Sequence, residues 1–219
     1  MGATSISSEF LIVCEGDGDV AFFRHLCEVR GIQGFQAERT GGGNAGFLRY
    51  FKGLPAQSGA ERLKGVVVAS DNDDTPDASF KLIRDQLKKA KVPAPDNPLE
   101  TVKWAACDFA VTVLMIPFVN GASQKGCLET LLLQSVTARF PAINQCADSY
   151  LDCAGVNGWA NAGSIAKMRL RSILSAAWAE DPYLGLQWAM NPTKDLIPLQ
   201  HRCFDEIAEF LRAFPGGIH

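Results

Sequence analysis

Residues 10–26, FLIVCEGDGDVAFFRHL, hold five apolar or weakly polar residues, then Glu15, a glycine, two spaced aspartates and an amphipathic run. The first five read as a buried strand. Val20, Phe22, Phe23, Leu26, Cys27 and Val29 fall close to helical spacing, and Gly31 follows as a stop. A glycine-containing turn between a strand and a helix commonly cradles phosphate, but such turns are neutral or carry lysine. This one is acidic. It repels a bare phosphate and attracts a hard cation.

The same grammar recurs downstream. FQAER (35–39) reads as a second strand, TGGGNAG (40–46) as a flexible turn whose amides could meet a phosphate, and FLRYFKGL (47–54) as a short helix. KGVVVASD (64–71) has three successive valines, the mark of a strand covered on both faces in a parallel sheet. Thr75-Pro76 then opens a helix in the favoured order of cap and proline, and DASFKLIRDQLKKAK carries it to about residue 91. After the proline-rich VPAPDNP (92–98), the runs 101–107 and 111–118 are close enough to predict an antiparallel hairpin on the sheet edge. From residue 126 the chain reads as mostly helical, over 126–140, 164–179 and 199–214.

Strands alternating with helices predict an α/β fold with a mainly parallel sheet flanked by helices, residues 1–125, and a helical C-terminal extension, residues 126–219, packed on it. Ligands of such sheets bind beyond the carboxyl ends of the strands. Glu15 ends the first strand, and DNDD (71–74) ends the third. Two acidic clusters should therefore open onto one sheet edge. Asp71 and Asp73 are two apart, and in an extended strand such residues point the same way. Acid also favours a helix start by itself, and aspartate is a good cap, so each cluster alone has a structural explanation.

The bulk numbers narrow the classes. The net charge of −3 and pI near 5.6 argue against coating nucleic acid by bulk charge. Seven cysteines without a CxxC pair, and three histidines, fit neither a disulfide framework nor a zinc site. No signal-like segment and no apolar run of membrane length is visible, which gives a cytoplasmic expectation.

Glu15-Gly16 with Asp19, followed by Asp71-Asn72-Asp73 at the end of the third strand, resembles the Toprim domain, the topoisomerase–primase fold. The likeness is nearest to a group of small stand-alone Toprim-related bacterial proteins. That group is similar in turn to the Toprim part of the overcoming-lysogenization-defect nucleases. Its pattern includes a Gly-x-Leu-Glu segment, here Gly126-Cys127-Leu128-Glu129. The resemblance covers roughly residues 8–135. It implies magnesium or manganese held by Asp71 and Asp73, Glu15 as general acid or base in phosphoryl transfer, and Asp19 in support. Glu129 would add a further carboxylate, although acid in a first helical turn is favourable without any ligand.

A nuclease must also hold a polyanion. Lys167 and Arg171, four apart on a predicted helix, share a face and are candidate phosphate contacts, as is the basic run 81–91. Such runs are usually solvated helix faces. The expectation is a magnesium-dependent nuclease acting on DNA or RNA. The alternative is a Toprim-like binding or regulatory module without turnover, within a multi-protein assembly such as a defence system, with a protein partner or a second copy of the chain.

Overall fold

The computed structural model describes residues 5–183 and 185–217. Five strands form one sheet in the order β2-β1-β3-β5-β4. These are β1 (Phe10–Cys14), β2 (Phe35–Arg39), β3 (Gly65–Asp71), β4 (Thr101–Trp104) and β5 (Phe109–Ile116). The pairs β1–β2, β1–β3 and β3–β5 are parallel, and β4 runs antiparallel on the edge. The expected fold class is therefore the observed one. Residues 105–108 turn the β4–β5 hairpin, so β4 ends earlier than the sequence suggested. The reason is local: the Cys107 N–H donates back to the Trp104 carbonyl, and Asp108 takes a positive φ of 56°.

Every residue of β1 and β5 is buried, and only Asp71 of β3 is not fully so. The reason is two apolar layers. On one face Leu11, Val13, Val66, Val68 and Val113 meet α2 (Phe47–Gly53) and α3 (Pro76–Lys89) through Phe47, Phe51, Phe80 and Ile83. On the other, Ile12, Cys14, Val67, Ala69 and Leu114 meet α1 (Asp17–Arg30) and the C-terminal helices. Those are α4 (Leu128–Arg139), α5 (Pro141–Cys153), α6 (Ala162–Ala177), the short α7 (Leu186–Ala189) and α8 (Asp205–Ala213). Leu131, Leu132, Leu170, Ile173 and Ile207 belong to the same apolar cluster as the sheet residues. Arg30 closes the arrangement, donating to the carbonyls of Leu199 and His201 at 2.9 Å each and pairing with Asp205 at 2.9 Å.

Helix α5 was not singled out in the sequence. It opens on Pro141 and buries Ala147 and Leu151, with Ile143 packed partly against the same cluster.

Because one cluster joins α4 to the sheet, Leu131→Ala should lower stability by about 2–5 kcal/mol. The loss should appear as one transition by circular dichroism and by the fluorescence of the four tryptophans, of which Trp104 lies on the sheet and Trp178 and Trp188 among the C-terminal helices. Two separated transitions would show that the helices fold independently of the sheet.

Candidate functional site

Glu15 follows the last residue of β1, and Asp71 is the last residue of β3, the neighbouring parallel strand. Parallel pairing in register brings both to one sheet edge. One Glu15 oxygen accepts from the Asp71 N–H at 3.1 Å and from the Ser70 hydroxyl. Burial pushes the Glu15 carboxyl up, against these two hydrogen bonds, while Asp73 raises it and Lys167 lowers it.

Asp19 lies one turn into α1 and accepts from the Gly16 N–H at 2.9 Å. Burial first, with Glu15 and Glu129 adding repulsion against the Gly16 hydrogen bond, pushes Asp19 up to about 6. Asp71 Oδ1 accepts the Leu128 N–H at 2.9 Å, so a strand-end acid caps the first turn of α4. Burial, then repulsion from Asp19, Glu15 and Glu129, holds its carboxyl well above the usual range.

The Gly-x-Leu-Glu segment delivers two more groups. Gly126 has a φ of 129° and donates its N–H to the Asp73 carbonyl at 2.8 Å. A Cβ there would stand 2.5 Å from Thr130 Oγ1, so only glycine fits. Cys127, a buried residue, then caps α4, and Glu129 sits in the first turn. Ligand atoms of Asp71, Cys127 and Glu129 all lie within 4.8 Å of one another. Burial, then Glu129 and Asp71, raise the Cys127 thiol to about 12, so it stays protonated at neutral pH.

Asp73 differs from the sequence argument. The strand ends at Asp71, Asn72 is fully buried, and Asp73 is an exposed residue with a φ of 50° that makes a single antiparallel bridge to Gly126. Strand alternation does not align it with Asp71. Its charge nevertheless acts on Glu15 and Lys167.

Lys167, from α6, comes to the cluster. Partial desolvation pulls its ammonium down, but Glu129 and, more weakly, Asp71 and Asp73 attract it, and the net shift is upward. Arg171 lies one turn further along α6 and lines two surface cavities away from the carboxylates. The 40–46 loop is held by Thr40, whose hydroxyl donates to the Gly43 carbonyl at 2.9 Å. It borders a cleft of about 1080 Å³ that also reaches Glu15.

Residues 9–215 match the family described as "Protein of unknown function (DUF3226)". The chain belongs to that family. No curated protein and no solved structure matches it. The DUF3226 match spans the sheet, the carboxylates at its edge and the helices that bring Glu129 and Lys167 to them. Among the described residues, no helix is long and apolar enough to cross a membrane.

The donor set suits a hard divalent cation. Among the described residues Asp71 Oδ2 takes no hydrogen bond, a Glu129 oxygen lies within 4.8 Å of a carboxylate oxygen of Asp71, and the charges of Asp19 and Glu15 act on the same carboxyl. Cys127 is a soft neighbour, but as a protonated thiol it is a poor ligand.

The crowding predicts a pH effect. The folded pKa of Asp19, about 6, lies above the unfolded value of about 3.9, so ionisation disfavours the folded state. This penalty is absent below about pH 4, grows towards pH 6 and is complete above it. Asp19→Asn removes it. In EDTA the variant should be more stable than wild type by up to about 2 kcal/mol at pH 7.5, with no gain at pH 4. Equal melting temperatures at pH 7.5 would show that the carboxyl is not under strain.

Proposed function

We propose that this protein is a magnesium- or manganese-dependent phosphoryl-transfer enzyme, a nuclease acting on DNA or RNA. The observation that carries the reading is the edge-to-edge meeting of Glu15 and Asp71. They are joined by the Asp71 N–H, Glu129 lies within 4.8 Å of Asp71, and the charges of Asp19 and Lys167 act on the same group of carboxyls. A structural role needs only one acid at each helix start. Four half-buried carboxylates, of which Glu15 and Glu129 raise Asp19, and these three raise Asp71, are a costly arrangement without a ligand.

In this reading Asp71 and Glu129 hold the cation, with Asp73 and Asp19 at its margin. Bound there, magnesium or manganese supplies Lewis-acid polarisation of a phosphoryl oxygen. Glu15 moves the proton. Burial lifts its pKa towards the operating range of a general acid or base, and the Ser70 hydroxyl and Asp71 N–H fix one oxygen so that the other is the reactive one. Lys167 on α6, whose ammonium is attracted by Glu129, Asp71 and Asp73, offers a positive charge to the phosphoryl oxygens.

Two measurements test this. Millimolar magnesium or manganese should raise the melting temperature of wild type, and Asp71→Asn should abolish that rise. Glu15→Gln should fold normally and keep the metal-induced rise, yet lose about 10²–10⁴-fold in cleavage rate. Cleavage by Glu15→Gln at the wild-type rate would remove Glu15 from the chemistry. A melt indifferent to both metals would remove the metal site.

A further inference from the structure

Two surfaces lead away from the carboxylate cluster, and they differ in the free cations they offer. On the β2 side lies the cleft of about 1080 Å³, lined by Glu15, Asp17, Glu38 and Arg39 among others. Arg39 is already paired with Asp17, and Glu38 accepts from the Tyr50 hydroxyl at 2.6 Å. That cleft is acidic and repels a chain of phosphates. On the α6 side lie Lys167 and, one helical turn or about 6 Å further, Arg171. Arg169 between them is held by Asp148 at 2.7 Å and by Asn144. Among the described residues Arg171 has no hydrogen-bond or ion-pair partner.

Arg171 is also the wall between two shallow cavities of about 430 and 410 Å³. The first is lined by Pro182, Tyr183 and Leu186, the second by Ile143, Tyr150 and Met168. Tyr183 is 94% exposed and Tyr150 46%. The loop that carries Tyr183 is tied down: the Tyr183 N–H donates to Asp181 at 2.9 Å, and the Pro182 carbonyl accepts from Ser175 Oγ at 2.6 Å. Leu186, on the same wall, would meet a Cβ on Gly18 at 3.6 Å, which places this loop beside the start of α1. The nearby Trp188 is different. The Lys194 ammonium already stands 4.2 Å from its ring centroid.

We propose that the strand handled at this site is single-stranded nucleic acid, laid along α6 with phosphates on Lys167 and Arg171 and unstacked bases on Tyr183 and Tyr150. This rests on the phosphoryl-transfer reading and adds the form of the substrate and the direction in which it leaves. An unpaired guanidinium between two exposed rings matches a flexible strand, whose base faces are free to stack and whose phosphates need a cation. A duplex keeps those faces inside its own stack and gains nothing from the tyrosines.

The test is binding by the full chain in EDTA, where cleavage is silent. Fluorescence anisotropy is read for labelled single strands of DNA and of RNA, about 12 nucleotides long, and for the matching duplexes. Single strands of one or both types should bind about 10-fold or more tighter than duplex. Tyr183→Ala should weaken them about 5- to 150-fold, Tyr183→Phe should bind as wild type, and Arg171→Gln should weaken binding and flatten its salt dependence. Duplex bound as tightly as single strand, no nucleic acid bound, or an unaffected Tyr183→Ala would each overturn the proposal. Metal-dependent cleavage of duplex that survives Tyr183→Ala would overturn it while the phosphoryl-transfer reading stands. Strand binding lost with Tyr183→Ala, but with no cleavage in either metal, would support the platform and sink the phosphoryl-transfer reading.

Discussion

The Asp71 residue is tied on two sides, and the molecule is organised around those ties. Its N–H donates to Glu15 and its Oδ1 accepts from Leu128. The first bond locks the ends of β1 and β3 together. The second starts α4 at the sheet edge and sends Leu131 and Leu132 into the apolar layer beneath. Removing the carboxylate would orphan a first-turn N–H of α4, while the Asp71 backbone N–H would still hold Glu15. The helical half of the chain and the acidic edge thus share one residue. A change there is felt as lost packing and as lost site geometry together.

Electrostatics work against that arrangement. Burial raises Glu15, Asp19 and Asp71; Asp73 adds to Glu15, Glu15 and Glu129 add to Asp19, and Asp19, Glu15 and Glu129 add to Asp71. Among the described residues, Lys167 is the cation that the cluster holds in its charged form. Net stability of a domain is only about 5–15 kcal/mol, so such repulsion is a noticeable fraction of it. It is tolerated because the sheet is covered on both faces by continuous apolar layers. A site strained at its charges and supported by its core is the common pattern of functional edges.

Much of the fold was legible because period and punctuation agreed. The valines of β3, the Thr75-Pro76 start and the Gly31 stop each have one local reading, and the structure follows them. The C-terminal boundaries were blurred: 126–140 became Leu128–Arg139, 164–179 became Ala162–Ala177, and 199–214 shrank to Asp205–Ala213 after a 3₁₀ turn. Strand alternation failed at Asp73 because a left-handed residue ended the extended run, and a DxD spacing does not reveal where a strand stops. Cys127 went unremarked as a member of the cluster, though the glycine before it, forced by Thr130, marked a tight approach. The separation of Lys167 from Arg171 was invisible too. They share a helix face, and only the packing of α6 on α4 decides which one reaches the carboxylates.

Where the protons sit in the cluster follows from its hydrogen bonds. Glu15 receives two donors from β3, each favouring its charged form, and Asp19 receives the Gly16 N–H. Asp71 is the deepest of the three, with three acids acting on it and only the Leu128 N–H in its favour. It therefore keeps a proton to higher pH than an ordinary aspartate. That proton relieves part of the crowding while no other cation is present. Any cation that takes Asp71 as a ligand must displace it, so affinity rises with pH as the carboxyl ionises. The titration belongs to the cluster rather than to one residue, because the charge on Glu15 or Asp19 changes the affinity of Asp71 for its proton. A single buried strand end thus couples proton, cation and the first turn of α4.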